Sequence, residues 1–127
     1  MIKLIKKNIL SIITALIIMY LSLASSDTFD EVDVFDFPHI DKIIHFGMYF
    51  GLMMCLLFEN RSTNKGIKSQ LLLAIIPFSY GILLEFVQSW FTATRSGDLF
   101  DALFDLIGIV ISLSAWRIYV KLRKEQN

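Results

Sequence analysis

The chain has few residues of the kinds that stabilise a small secreted protein or form a low-complexity tract. It contains a single cysteine, Cys55, among 127 residues, so no disulfide can form within it. Only two prolines and six glycines occur, and we see no internal repeat, which excludes a long disordered segment. No HExxH motif and no serine-elbow motif is present. The sequence therefore predicts no metal and no cofactor.

Apolar residues are abundant instead. They make up 55% of the chain, and the mean hydropathy is +0.61. A soluble domain of this size could not bury so much apolar surface, so the composition indicates a membrane protein. We predict an all-α, four-transmembrane-helix bundle formed by one domain over residues 1–127. Its spans are expected at about 9–24, 43–58, 71–91 and 99–119.

The formal net charge is zero, but the charges are separated along the chain. If all four segments span, one side of the membrane receives most of the basic residues: Lys3, Lys6, Lys7, Arg61, Lys65, Lys68, Arg117, Lys121, Arg123 and Lys124. The other side receives mainly acidic residues: Asp27, Asp30, Glu31, Asp33, Asp36, Asp41 and Asp98. The positive-inside rule then predicts a multi-pass membrane protein with both termini in the cytoplasm.

An alternative interpretation concerns the first apolar segment. Its lysine-rich start, apolar run and Ser22-Leu23-Ala24 sequence are also compatible with a cleaved signal peptide. Cleavage would leave three spans, with the amino terminus outside.

Ionisable side chains inside the spans are the most informative feature. Glu85 and Gln88 lie three residues apart in the third apolar segment, so they share a helix face. A carboxylate at mid-span costs about 2.5 to 3.5 kcal/mol on insertion scales. The predicted topology places His45 and Asp101 in the same outer leaflet as Glu85, and we expect them, with Asp105, to face the bundle axis.

Spacing also predicts how the helices pack. Asp41, His45 and Tyr49 share one face of the second span by i, i+4 steps. On a neighbouring face, Gly47 and Gly51 form a small-xxx-small pair, which predicts a close approach by another helix.

Two segments resemble the VanZ-like family of small bacterial membrane proteins: DKIIHFGMYFGL (41–52) and EFVQSWFTATRSGDLFDALFDLIG (85–108). The residues that match the family pattern are Asp41, Lys42, His45, Phe46, Tyr49, Leu52, Glu85, Gln88, Arg95, Asp101 and Gly108. The family's asparagine falls on Asp105 and a later small residue falls on Ser112. The resemblance covers roughly residues 10–120.

The resemblance implies an envelope role at the outer face of the bacterial cytoplasmic (inner) membrane. The family's founding association is low-level teicoplanin resistance. We expect a pocket for a polar lipid or cell-wall precursor headgroup, with Arg95 contacting its anionic part. The candidate ligand-binding residues are Asp41, Lys42, His45, Tyr49, Glu85, Gln88, Arg95, Asp98, Asp101 and Asp105.

Other functions remain open. The chain could be a small intramembrane hydrolase or transferase that uses Glu85 or Asp101 with His45. It could also be a scaffold subunit of an envelope complex, or the polar residues could serve only to hold the helices together. Membrane lipids are the expected partners and nucleic acid is not; the sequence does not fix the oligomeric state.

Overall fold

The computed structural model describes residues 1–24, 40–63, 65–91 and 99–126. Within these ranges the chain forms helices and short turns and contains no strand. The helices are α1 (Ile2–Lys7), α2 (Ile9–Leu23), α3 (Ile40–Glu59), α4 (Ile67–Phe91) and α5 (Leu99–Glu125). Long apolar runs become helices in a bilayer because a helix satisfies its backbone hydrogen bonds within one segment.

Three helices are long and apolar enough to cross a membrane. They are α3, α4 and α5, with 20, 25 and 27 residues. The apolar α2 has 15 residues, which at about 1.5 Å per residue is shorter than the ~30 Å hydrocarbon core. The all-α prediction is therefore confirmed, and three helices are suited to span a membrane. The count of four spans and the orientation stay predictions.

Successive long helices run in alternating directions. Asn60 Nδ2 donates to Asn8 Oδ1 at 2.7 Å, which joins the start of α2 to the end of α3. Arg117 Nη1 donates to Gln70 Oε1 at 3.4 Å, which joins the start of α4 to the end of α5. We call this end of the bundle the basic end, because the basic residues of the described helices concentrate there. The other end, where α3 and α5 begin, is the histidine end.

The closest helix contact is between α3 and α5, which pack together more extensively than any other pair in the described chain. It depends on Gly108, where an added Cβ would lie 2.5 Å from the Phe46 carbonyl oxygen. The prediction that Gly47 and Gly51 make such an approach is wrong, since a Cβ on either would meet nothing within 4 Å. The small residue lies on α5 and faces the backbone of α3.

A large part of the molecular surface is apolar. Buried side chains such as Leu52, Met53, Leu57, Leu84 and Ile109 form the core. Large apolar side chains also lie exposed on every long helix: Leu16, Ile17, Ile43, Ile44, Leu72, Ile75, Leu83, Phe86, Val110 and Ile118. A soluble monomer rarely exposes apolar surface of this extent, and such a surface is favourable in contact with lipid tails.

Candidate functional site

A buried histidine–carboxylate pair links α3 and α5 near the histidine end. His45 Nδ1 and Asp105 Oδ1 are 3.0 Å apart. The two residues are 5% and 2% exposed, so water contributes little to satisfying either one. A histidine one turn into α3 and an aspartate two turns into α5 meet because Gly108 lets these helices approach closely.

A second carboxylate lies on the other side of the imidazole. Asp101 Oδ2 is 3.8 Å from His45 Nε2. Asp101 Oδ1 is 3.6 Å from Lys42 Nζ, and Lys42 Nζ is 3.2 Å from Asp41 Oδ2. Carboxylates therefore alternate with the lysine and the histidine from Asp41 near the bundle surface to the buried Asp105.

The third helix of the site is α4, which contributes Glu85. Ligand atoms of His45, Glu85 and Asp105 all lie within 4.8 Å of one another. One turn before Glu85, Gly81 lies against the site, since an added Cβ would be 2.9 Å from Asp105 Oδ2 and 3.2 Å from the Tyr49 ring. We call His45, Glu85, Asp101, Asp105 and Lys42 the polar cluster.

Gln88 does not lie with Glu85 in the polar cluster. Its Nε2 donates to the carbonyl oxygen of Ser22, at the end of α2. Their spacing places the two residues on the same side of α4. However, α4 packs against α2 as well as against α3 and α5, so Glu85 faces α3 and α5 while Gln88 contacts α2. The predicted ligand residues Arg95 and Asp98 lie outside the described residues.

Sequence reasoning placed most of the polar cluster at one end of the bundle, but it missed two features. Lys42 contacts Asp101 across the α3–α5 interface, a pairing that helical spacing within one chain segment cannot reveal. The second feature is Gly81, where any side chain would displace the Asp105 carboxylate.

A separate apolar groove lies toward the basic end. It has a volume of about 440 Å³ and is formed by α1, α2, α3 and α4, with Leu4, Ser11, Leu56, Leu73 and Pro77 among its lining residues. The hydroxyl of Tyr80, which also lines it, donates to the carbonyl oxygen of Ala15 at 2.6 Å. The groove does not include any residue of the polar cluster.

Chemically, the polar cluster has two capacities. His45 held between two carboxylates is arranged to accept or give a proton, because each carboxylate stabilises the imidazolium. Three carboxylates, one lysine and one histidine also leave an excess of negative charge in the bundle interior when the acids are ionised. Such a site suits hydroxyl and amine donors, or a cation, better than an isolated anion.

A comparison with protein-family models identifies VanZ/LLP1, which matches residues 3–120. No curated protein and no solved structure matches the chain. The matched range includes every residue of the polar cluster and the Gly108 contact.

Proposed function

The chain belongs to the VanZ/LLP1 family, and on that basis we propose that it is an integral protein of the bacterial cytoplasmic membrane that binds a polar headgroup. The ligand is a membrane lipid or a lipid-linked cell-wall precursor, and its headgroup is held by the polar cluster. Because the cluster lies at one end of the bundle, it is at the depth where a headgroup meets the hydrocarbon region.

One observation carries this proposal: ionisable side chains from three helices converge in the interior of a largely apolar bundle. Polar contacts between membrane helices average only about 0.6 kcal/mol in the best-studied bundle. Burying several ionised groups costs more than such contacts return. A polar ligand that completes their hydrogen bonds accounts for the cluster better than helix packing does.

The charge distribution favours the outer leaflet for this site. Positive-inside topology places the basic end in the cytoplasm, and the polar cluster is at the opposite end. In this arrangement Arg95, in the segment that joins α4 to α5, contacts the anionic part of the headgroup, since its planar fork suits phosphate. Binding a cell-wall precursor would alter susceptibility to glycopeptides such as teicoplanin.

Native mass spectrometry of the detergent-purified protein tests the proposal. We expect a co-purified lipid on the wild-type chain and its loss in Glu85→Gln, which keeps the side chain's size but removes its charge. Ser114→Ala on α5 is the matched control, because Ser114 is exposed and its hydroxyl bonds only to the Val110 carbonyl in the described structure. Equal lipid occupancy in wild type and Glu85→Gln would contradict the proposal.

A second function is favoured by the 3.0 Å contact between His45 and Asp105. A carboxylate that orients an imidazole is the arrangement of a general base, so the cluster could hydrolyse or transfer a group on the bound lipid. In the same experiment, a mass change of the bound lipid with time in wild type, absent in His45→Gln, would identify an enzyme. An unchanged lipid mass supports binding alone.

A further inference from the structure

We propose that His45, Glu85 and Asp105 bind a divalent transition-metal ion between α3, α4 and α5. The proposal concerns residues of the same polar cluster but goes beyond headgroup binding, since it involves the protein and the ion alone and is tested without added lipid.

The three side chains are close enough to share one ion. Their candidate ligand atoms lie within 4.8 Å of one another. Ligands bound at about 2.1 Å to one ion are roughly 3.0 to 4.2 Å apart, depending on the coordination geometry. Side-chain movements of less than about 1 Å therefore close the site. Because each ligand comes from a different helix, an ion here would also tie three helices together.

The negative charge of the site favours binding of a cation. Glu85 and Asp105 are two carboxylates close to one imidazole, in the interior of the bundle. The Lys42 ammonium lies on the side of Asp41 and Asp101, at 3.2 and 3.6 Å. A divalent ion would balance Glu85 and Asp105 directly, which avoids the cost of two like charges in a low-dielectric interior.

An independent observation comes from Asp101, which is 8% exposed. Its Oδ1 atom is buried and has no hydrogen-bond partner among the described residues, because Lys42 Nζ is beyond hydrogen-bond distance at 3.6 Å. Its Oδ2 atom is 3.8 Å from His45 Nε2. A carboxylate beside the ring nitrogen that does not face the ion is the usual neighbour of a metal-ligating histidine, because it orients the imidazole.

Gly81 leaves room for the Asp105 carboxylate beside α4. A Cβ at this position would lie 2.9 Å from Asp105 Oδ2, so even alanine would displace the carboxylate. The glycine keeps the α4 backbone close to the site and leaves the space to Asp105.

The donor set selects the class of metal. One imidazole nitrogen with carboxylate oxygens suits Zn²⁺, Mn²⁺ or Fe²⁺, whereas Ca²⁺ and Mg²⁺ prefer oxygen ligands only. No spacing motif signals the site, because the ligands are 40 and 20 residues apart in the sequence, at positions 45, 85 and 105. Only the packing of α3, α4 and α5 brings them together.

Mn²⁺ titration of the full chain in detergent, after removal of metal with a chelator, tests the proposal. Free Mn²⁺ is followed by electron paramagnetic resonance. We expect saturable binding of one ion per chain, and affinity weakened by about tenfold or more in His45→Gln and Asp105→Asn. Glu125→Gln is the control, because it removes the charge of an exposed carboxylate at the far end of α5, away from the ligand set.

Thermal unfolding gives a second measurement that does not depend on the spin signal. Mn²⁺ should raise the Tm of the wild type and of Glu125→Gln, since a ligand that binds only the folded state stabilises it. It should not raise the Tm of Asp105→Asn. The amide introduced by Asp105→Asn keeps an oxygen that can accept a hydrogen bond from His45, so this variant is expected to fold. Non-saturable Mn²⁺ binding, or equal affinity in all variants, would overturn the proposal.

Discussion

At the scale of single residues, Gly108 determines whether the polar cluster can form. A Cβ at this position would lie 2.5 Å from the Phe46 carbonyl oxygen and 3.0 Å from the Phe50 nitrogen. Both are backbone atoms, so no side-chain rotation can relieve the clash and α3 must move away from α5. The His45–Asp105 contact crosses this same interface.

Gly108→Ala is therefore expected to destabilise the protein by about 1 to 3 kcal/mol, the usual cost of overpacking a core. The measurement is the free energy of unfolding in detergent. Gly47→Ala on α3 is the control, since a Cβ there meets nothing within 4 Å and alanine favours helix by up to about 1 kcal/mol. Equal stability of the two variants would contradict this account of the α3–α5 contact.

The residues of the cluster could be predicted from the sequence better than their pairings. An ionisable residue inside an apolar span must face inward, which identifies His45, Glu85 and Asp105 without a structure. Which of them contact each other depends on how each helix is rotated about its axis. For α4 this rotation sends Gln88 to the Ser22 carbonyl on α2, and spacing within one helix does not contain that information.

At the scale of elements, the start of α2 is held by a residue of α3. The backbone N–H groups of Leu10 and Ser11 donate to the Glu59 carboxylate at 2.7 and 3.2 Å, and the Ser11 hydroxyl donates to it as well. A helix break at Asn8 leaves these N–H groups without partners from α1. The negative charge also suits the positive end of the helix dipole.

Glu59→Ala should destabilise the attachment of α2 by about 1 kcal/mol, the usual cost of removing a helix cap. Hydrogen–deuterium exchange measures this effect locally. In Glu59→Ala the first turn of α2 should exchange faster than in the wild type, whereas exchange in the middle of α4 should not change. Glu125→Ala, at the exposed end of α5, is the control. Unchanged exchange at Leu10 and Ser11 in Glu59→Ala would contradict the capping role.

Helix identity was predictable at this scale because length and hydropathy alone determine it. The exact helix ends were less predictable. The helix α5 continues to Glu125, six residues beyond the expected end of the apolar run. Its last turns are rich in basic residues, which are good helix formers in water as well as at a membrane surface. The cap on α2 was not predictable, since it comes from a residue 49 positions away from Leu10.

At the scale of the whole molecule, the charge separation predicts that both termini lie on the cytoplasmic side. In a Cys55→Ala background, Lys3→Cys and Lys124→Cys should be protected from a membrane-impermeant maleimide in intact cells. Leu99→Cys, at the histidine end, should react. Labelling of Lys3→Cys together with protection of Lys124→Cys would mean that α2 does not cross the membrane.

The family and the membrane class follow from sequence at this scale, because the motif residues are distributed over three spans in a fixed order and the apolar content leaves few alternatives. The number of spans does not follow, since α2 is close to the lower limit of length for a crossing helix. A helix of this length can cross where the bilayer thins or where α1 extends it.

The central claim is that the polar cluster holds a ligand and is more than a structural network. The most direct test measures lipid occupancy and Tm on the same preparations of wild type and of the double variant His45→Gln, Glu85→Gln. Because hydrogen bonds to charged groups contribute about 1.5 to 3 kcal/mol each, we expect occupancy to fall by about tenfold or more while the protein remains folded. A lowered Tm with unchanged lipid occupancy would contradict the claim and make the cluster structural.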